Sequence, residues 1–176
     1  AVYVTHDQKE ALSVADRIAI MDRGVIQQCG TPQDVYLRPR TRFVANFIGE
    51  TNFLAGTVER IGEGGTCVRT AAGSIISTAP SASPLQPGQP VTVSLRPEVI
   101  HIGPAPQDVA NVFPARAHDT VYLGEMAQHQ VNLPAPGQDD LVLKAFELNP
   151  KIVAHDDEVK DVQIWFRPQN VVLLTE

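Results

Sequence analysis

Cysteine is scarce in this sequence, and long apolar runs are missing from it. The two cysteines, Cys29 and Cys67, lie far apart and form no C-x-x-C pair. Their spacing indicates two reduced thiols rather than a disulfide framework or a cysteine zinc site. No segment approaches the roughly 20 apolar residues that a membrane-spanning helix needs. We therefore expect any association with a membrane to depend on a partner protein.

Basic and aromatic residues are also few. The chain has 14 Lys and Arg against 20 Asp and Glu, which gives a formal charge of −6. Residues 1–50 carry equal numbers of both signs, so the acidic excess lies in residues 51–176. An acidic surface repels phosphate backbones, and one Trp with three Tyr offers no stacking platform for single strands. We therefore expect no nucleic-acid partner.

What the sequence does contain is a dense series of helix and strand signals in residues 1–50. The run Val2 to Val4 predicts a short buried strand, and Asp7 with Glu10 predicts a helix start similar to a capping box. The segment RIAIM predicts a second buried strand, followed by a turn in which Gly24 takes a positive φ. The apolar stripe of the helix between these strands is Ala11, Leu12, Val14 and Ala15.

Two short helices follow the hairpin. Thr31 caps the first of them, and Pro32 takes its first helical position. The second helix is predicted within TRFVANFIG, and its apolar face is Phe43, Val44, Phe47 and Ile48. Strand, helix, hairpin and two short helices together predict a partial α/β segment, because a strand buried on both faces needs further neighbours.

From about Thr51 the pattern changes to short strands separated by turns. Stretches rich in glycine and proline, such as GEGG and PSASPLQPGQP, interrupt the runs. This pattern predicts an all-β sandwich or barrel over residues 51–176. The nine predicted strands are FLAGTVERI, TCVRT, SIISTA, PVTVSLRP, VFPARAHDTVYLG, AQHQVNLP, LVLKAF, DVQIWFRP and NVVLLT.

The β-rich part also contains a weak internal repeat. The segments VSLRPEVIHI and IWFRPQNVVLL each end an alternating strand at an Arg-Pro pair and restart with an aliphatic run. The matching openings are NFLAGTV and NVFPARA, which begin at Asn52 and Asn111. We interpret the pattern as a duplicated β-unit, which predicts a pseudo-duplicated barrel.

His6 is the strongest candidate for chemistry. It follows the first predicted strand and precedes a helix start, and ligands of open α/β sheets bind at the carboxyl ends of strands. An imidazole at this position can donate a hydrogen bond to a bound anion, while Asp7 fixes the helix start. Taken alone, a histidine in such a turn is more often structural.

The other candidates are weaker. His6 and Glu10 can share a helix face as metal ligands, but two ligands do not make a zinc site, and capping explains Glu10. The acidic turn HDDE, residues 155–158, is typical of a solvated loop. No ligand pattern surrounds the remaining histidines of the β-rich part, which are His101, His118 and His129. We predict no metal site.

Four motifs follow one another between Val2 and Val58: VTHD, A-x-R-I-A-x-M-x-x-G, G-T-P-x-x-V-Y-x-x-P and F-V-A-x-F-I-G. With these motifs, the run from Val2 to Val58 closely resembles the end of the ATP-binding cassette subunit of bacterial importers of the polyamine, iron, maltose and glycerol-phosphate type. Further along, LRPE and YLG resemble the appended transport-associated OB-like (TOBE) domain of the same subunits. The resemblance implies a mainly β chain. It also implies an OB-like barrel over residues 51–176, preceded by residues 1–50 as the end of a nucleotide-binding domain.

The resemblance also implies roles and partners. His6 is similar to the switch histidine that contacts the γ-phosphate of ATP, and Asp7 to the residue that supports this loop. A fixed donor there suits phosphoryl transfer, which depends on positioning and charge stabilisation. The whole subunit is expected to use ATP and magnesium, to pair with a second copy beneath membrane permease subunits, and to lie at the cytoplasmic face of the inner membrane. The β-domain is expected to hold the pair together or to sense a ligand or a regulatory protein.

Several elements of that family are absent from residues 1–176. The sequence has no G-x-x-x-x-G-K-[ST] phosphate loop, no strand ending in Asp-Glu and no LSGGQ-like signature. We expect these elements to precede Ala1 in the natural protein, and we expect the 176 residues alone to hold no cofactor and to hydrolyse no ATP. A second hypothesis treats residues 51–176 as a stand-alone module that binds a small ligand such as an oxyanion.

Overall fold

The helices and strands form two units in the computed structural model, which describes residues 1–150 and 159–175. The first unit is Ala1–Glu50, and the second is Thr51–Thr175. Each unit has its own cluster of buried apolar side chains. Within the described part of the chain, no helix is long and apolar enough to cross a membrane.

A two-stranded hairpin and three short helices build the first unit. These elements are α1 (Gln8–Val14), β1 (Ile18–Asp22), β2 (Val25–Gly30), α2 (Pro32–Leu37) and α3 (Arg42–Phe47). The hairpin turn has φ 47° at Arg23 and φ 80° at Gly24. Two consecutive positive φ values are typical of a type I′ turn, which matches the twist of the strands that it joins. The predicted turn and the three predicted helices are therefore confirmed.

The core of the first unit is narrower than the sequence pattern predicts. Val14 is 69% exposed, and Phe43 and Phe47 of α3 are more than a third exposed, with their rings stacked 5.7 Å apart. These three side chains belong to the predicted apolar faces but stay largely exposed, because helices of six or seven residues offer the core of this unit only a narrow stripe. The buried apolar residues of this unit's core cluster are Ile18, Ile20, Val35, Val44 and Ile48.

The predicted strand at Val2 to Val4 does not form. These residues have no regular secondary structure, and the side chains of Val2 and Val4 are 95% and 89% exposed. A buried strand requires a neighbour that takes up its backbone hydrogen bonds. No described strand pairs with this segment, and β1 pairs with β2 alone. The strand prediction is therefore wrong for this chain.

Ten strands build the described part of the second unit. They are β3 (Asn52–Gly62), β4 (Gly65–Thr70), β5 (Gly73–Ser77), β6 (Pro90–Leu95), β7 (His101–Ile102), β8 (Asn111–Tyr122), β9 (Met126–Leu133), β10 (Leu141–Leu148), β11 (Lys160–Phe166) and β12 (Val172–Leu174). All nine predicted strands of this part are present. The pattern misses β7, because two residues are too few to show an alternation. The prediction of a mainly β chain is confirmed.

The two five-stranded sheets of this unit have the same construction. One sheet has the order β12-β6-β3-β4-β5, and the other has the order β7-β11-β8-β9-β10. Each sheet therefore takes four strands from one repeat and the last strand from the other. Each Arg-Pro pair leads into a 3-10 turn, Pro97–Val99 or Pro168–Asn170. The strand after each turn, β7 or β12, belongs to the sheet of the other repeat. The predicted duplication is confirmed.

The interior of the second unit is apolar and draws on both sheets. Leu54 and Val93 from one sheet join Phe113, Ile164 and Phe166 from the other in a single buried cluster. The rings of Phe113 and Phe166 stack with their centroids 5.7 Å apart. Removing this much apolar surface from water is the main favourable contribution to the folding of the unit.

Two buried asparagines join the sheets at equivalent positions. Asn52, the first residue of β3, donates through Nδ2 to the Lys144 carbonyl oxygen at 2.9 Å and accepts from the Lys144 N–H at 2.8 Å. Asn111, the first residue of β8, makes the same pair of bonds to Ile76 at 2.8 and 2.7 Å. Only an amide side chain offers a donor and an acceptor in this geometry. Each asparagine side chain thus makes, to the edge strand of the opposite sheet, the two backbone hydrogen bonds that a further strand would make.

Candidate functional site

His6 lies in the turn that leads into α1, and its side chain is exposed. No residue in the described part of the chain forms a hydrogen bond or an ion pair with its imidazole. The ring therefore lies in solvent, at a turn between the first residues of the chain and α1. An exposed imidazole in this position is free to contact a group supplied from outside the described residues.

Asp7 fixes the turn beside His6. Its Oδ1 accepts hydrogen bonds from the N–H groups of Lys9 at 2.8 Å and Glu10 at 3.0 Å, which makes it the N-cap of α1. Caps of this kind stabilise a helix by about 1 kcal/mol, because they satisfy N–H groups that have no partner within the helix. The predicted capping role of Asp7 is confirmed.

Glu10 acts differently from the prediction. In a capping box its carboxylate would bind the Asp7 N–H, but Thr5 Oγ1 accepts from that N–H at 3.0 Å. The Glu10 carboxylate accepts instead from Thr5 Oγ1 at 2.8 Å and from the Tyr3 hydroxyl at 3.0 Å. The hydrogen bond to Glu10 is the main cause that raises the pKa of Tyr3. The capping-box prediction is wrong, and Glu10 ties the segment before His6 to the helix after it.

The structure does not assemble a metal site from His6 and Glu10. Among the described residues, no group of three or more His, Cys, Asp or Glu side chains is arranged to hold a metal ion. The two thiols are also separate: Cys29 is exposed, and buried Cys67 donates to Glu59 Oε2 at 3.4 Å. The acidic turn at residues 155–158 lies outside the described residues.

His101 of β7 packs against the single tryptophan of the chain. The rings of His101 and Trp165 stack with a centroid distance of 4.1 Å and an interplanar angle of 24°. The cross-strand pairing of β7 with β11 places these two residues opposite each other. Burial lowers the pKa of His101, and the nearby Arg167 guanidinium lowers it further. Arg167 is itself paired with Asp108 at 3.1 Å.

A second polar cluster surrounds the irregular part of β8, and sequence reasoning missed it. His118 Nδ1 lies 2.9 Å from Asp119 Oδ2, and the next residue, Thr120, lies 3.0 Å from His129 Nδ1 through its hydroxyl. His129 Nε2 in turn lies 2.9 Å from Glu147 Oε2. These groups come together only through the registers of β8, β9 and β10. The dipeptide His118–Asp119 is the only local signal that the sequence offers.

Comparison with protein families places a TOBE domain at residues 93–174. This range covers the end of the first β-repeat and all of the second, including both Arg-Pro turns and the Asn111 bridge.

Curated relatives extend the similarity to the first unit. A spermidine/putrescine import ATP-binding protein, PotA, from Pseudomonas fluorescens is 43% identical over 133 residues, which cover 75% of this chain and 35% of the relative. PotA from Thermobifida fusca is 36% identical over 176 residues, which cover 98% of this chain and 44% of the relative. The chain thus spans less than half the length of these relatives.

Among solved structures, the cytoplasmic molybdate-binding protein ModG, crystallised with molybdate, resembles this chain with a TM-score of 0.51. The match covers 71% of this chain and 96% of ModG at 13% sequence identity. At this identity the likeness shows the fold alone. It agrees with the predicted OB-like architecture of the β-rich unit.

Proposed function

Since the chain carries a TOBE domain and belongs to the family of importer ATP-binding subunits, we propose that it works as the C-terminal part of an ATPase that drives solute import. The solute class that this proposal names is the polyamines, because spermidine and putrescine are what the names of the relatives specify. Residues 1–50 are then the end of a nucleotide-binding domain, and residues 51–176 are its regulatory β-domain.

One observation carries this proposal: a single relative aligns with both units. The similarity to the Thermobifida fusca protein runs through 98% of the chain, so it includes the His6 turn as well as both β-repeats. A stand-alone β-module gives no reason for the first unit to match importer proteins. The exposed side chains of Val2, Tyr3 and Val4 also fit the proposal, since they suit contact with the rest of a nucleotide-binding domain.

His6 is the residue that we assign to catalysis, with Asp7 as its support. The Asp7 cap and the Glu10 network hold the backbone on both sides of His6, while the imidazole itself stays exposed. A fixed donor of this kind can contact the γ-phosphate of ATP. The 176 residues contain no phosphate-binding loop and therefore do not fit ATP by themselves. We derive no step of hydrolysis for them, and ATP and magnesium are assigned to the whole subunit.

The partners and the location follow from the same proposal. The whole subunit pairs with a second copy of itself and docks on membrane permease subunits at the cytoplasmic face of the bacterial inner membrane. The β-domain contributes to pairing or senses a small ligand or a regulatory protein.

The experiment that tests the His6 assignment uses the natural full-length protein. His6→Ala is expected to slow ATP turnover about 100-fold, the effect of losing one preorganised donor, while ATP binding stays near the wild-type level. His101→Ala in the β-domain is the matched control, and it is expected to leave turnover unchanged. Normal turnover in His6→Ala overturns the assignment.

The fold likeness to ModG favours one alternative, in which the β-rich unit binds an oxyanion. ModG was crystallised with molybdate bound, and titration calorimetry of the intact 176-residue chain with molybdate tests the idea. Sub-micromolar binding of molybdate supports an oxyanion-binding module, whereas the importer proposal, which names polyamines as the solute, expects no molybdate binding in this range.

A further inference from the structure

The pairing of β8 with β9 contains a β-bulge at Asp119. His118 lies opposite Gln130 and Thr120 lies opposite His129, so Asp119 is an extra residue without a cross-strand partner. Its φ is 49°, in the left-handed region that side chains other than glycine seldom adopt. Bulges of this kind bend a strand and redirect the segment that follows. Here the following segment is residues 120–125, which are the last three residues of β8 and the connection to β9, and all six are exposed. We call this segment the turn at residues 120–125.

Two imidazoles hold the three residues of this bulge. His118 Nδ1 is bonded to Asp119 Oδ2, and His129 Nδ1 is bonded to the Thr120 hydroxyl. Because side chains alternate along a strand, His118 shares the outer face of the sheet with Arg116, whereas His129 shares the opposite face with buried Val131. Hydrogen bonds from histidines on both faces of the sheet therefore hold the bulge.

His118 leaves one of its ring nitrogens in an unusual position. Its Nε2 is buried, and it has no hydrogen-bond partner of normal geometry among the described residues. The only other buried side-chain atom of the described residues in this state is Asn132 Oδ1. Since Arg116 lies opposite Asn132 and His118 opposite Gln130, His118 and Asn132 are diagonal neighbours on the same face.

The chemistry of these two atoms differs between the protonation states of His118. The Asp119 carboxylate only accepts hydrogen bonds, so His118 Nδ1 must carry the proton between them. In the neutral ring, Nε2 is then a bare acceptor beside the amide oxygen of Asn132, which is also an acceptor. In the charged ring, Nε2–H can donate to that oxygen. A single added proton thus satisfies both buried atoms.

The groups around His118 together also favour this proton. On its own strand, His118 faces the Asp119 carboxylate and the Arg116 guanidinium, and β9 presents the neutral amides of Gln130 and Asn132. Arg116 is itself paired with Asp140 and lies opposite Asp161 of β11. The Asn132 side chain and then Asp119 raise the pKa of His118, while burial and Arg116 oppose them and are outweighed.

We propose that His118 is a proton-binding site that locks the β8 bulge, so that protonation of its ring stiffens the turn at residues 120–125. The turn carries three half-exposed apolar side chains, Val121, Tyr122 and Leu123. The Leu123 N–H closes it by donating to the Met126 carbonyl oxygen at 2.8 Å. Protonation of His118 therefore controls the stability of this apolar turn, and it acts independently of ATP chemistry.

The first test is an NMR titration of the histidine ring nitrogens in the intact chain. His118 is expected to titrate above the ordinary histidine value of 6.5, with both ring nitrogens protonated at the lower end of the titration. Asn132→Ala is expected to move this titration down towards 6.5, whereas Gln130→Ala, on the same face, leaves it unchanged. A wild-type midpoint at or below 6.5 overturns the proposal. An Asn132 amide whose NH₂ group donates to a neutral Nε2 of His118 also overturns it.

The second test asks whether the proton stiffens the turn. Amide hydrogen exchange at residues 120–125, corrected for the intrinsic effect of pH, is expected to slow several-fold as His118 takes up its proton. In Asn132→Ala the midpoint of this slowing moves together with the His118 titration, which separates it from any effect of His129. Amides of β3 serve as an internal reference. Exchange at residues 120–125 that does not follow the His118 titration overturns the coupling.

Discussion

At the scale of single residues, the contact between His101 and Trp165 makes the fluorescence of Trp165 sensitive to the protonation of the His101 imidazole. Trp165 is the only tryptophan of the chain, and its ring stacks directly on His101. A protonated imidazole quenches an excited indole by accepting an electron from it, whereas a neutral imidazole does so far less. We predict that tryptophan fluorescence falls as the pH is lowered, with a midpoint below 6.5, because burial lowers the pKa of His101.

The same shift has a consequence for stability with a definite sign. The folded state has the lower His101 pKa, so between the two pKa values it binds fewer protons than the unfolded chain does. The contribution of His101 to the free energy of unfolding is therefore complete above 6.5 and is lost as the pH falls through the folded pKa. His101→Asn is expected to remove the fluorescence step. A step that persists in this variant, or a midpoint above 6.5, contradicts the prediction.

At the scale of secondary structure, the two asparagine bridges are where the duplication affects stability. Asn111→Ala removes the side chain that accepts from the Ile76 N–H and donates to the Ile76 carbonyl oxygen. We predict a loss of about 1–3 kcal/mol in the free energy of unfolding, the usual cost of leaving buried polar groups without partners. Asn52→Ala is expected to have a similar effect through Lys144. Denaturant unfolding measures both losses.

The control for this prediction is Asn46→Ala, because Asn46 is exposed on α3 in the first unit. It is expected to change the stability of the β-rich unit by less than about 0.5 kcal/mol, as is usual for surface substitutions. If Asn52→Ala or Asn111→Ala is as mild as this control, the bridges do not hold the sheets together.

The elements also show what sequence patterns can and cannot predict. Alternation and turn residues are local signals, and they located nine strands of the second unit, the Gly24 turn and the Asp7 cap. The run at Val2 to Val4 has the composition of a strand, but strand formation depends on a neighbour that no local pattern specifies. For the same reason, the repeat could be predicted from the Arg-Pro pairs, whereas the exchange of β7 and β12 between the sheets could not.

The candidate sites divide in the same way. The position of His6 between a run of apolar residues and a helix start was visible in the sequence, and so was the capping role of Asp7. The polar cluster around His118 was not, because it depends on the registers of three strands and on a bulge that shifts one of them. The displacement of Glu10 from its expected capping contact depends on Thr5, whose hydroxyl occupies the Asp7 N–H.

At the scale of the whole molecule, the two units differ in the size of their cores and in the spectroscopic signals that they carry. Among the described residues, the core cluster of the first unit has five buried residues, and that of the second has 18. Since hydrophobic stabilisation grows with the apolar area buried, the first unit is expected to be the less stable. All α-helices of the described residues lie in the first unit, whereas Trp165 lies in the second.

We therefore predict two unfolding transitions in guanidinium chloride. The first removes the helical part of the far-UV circular dichroism signal, and the second, at higher denaturant, changes the fluorescence of Trp165. Ile20→Ala deletes a side chain that is 2% exposed in the first core and is expected to destabilise that unit by about 2–5 kcal/mol. It should therefore move only the first transition. Ile164→Ala, fully buried in the second core, should move the second. A single transition seen by both signals and shifted by both variants contradicts this prediction, because coincident probes are the signature of one cooperative unit.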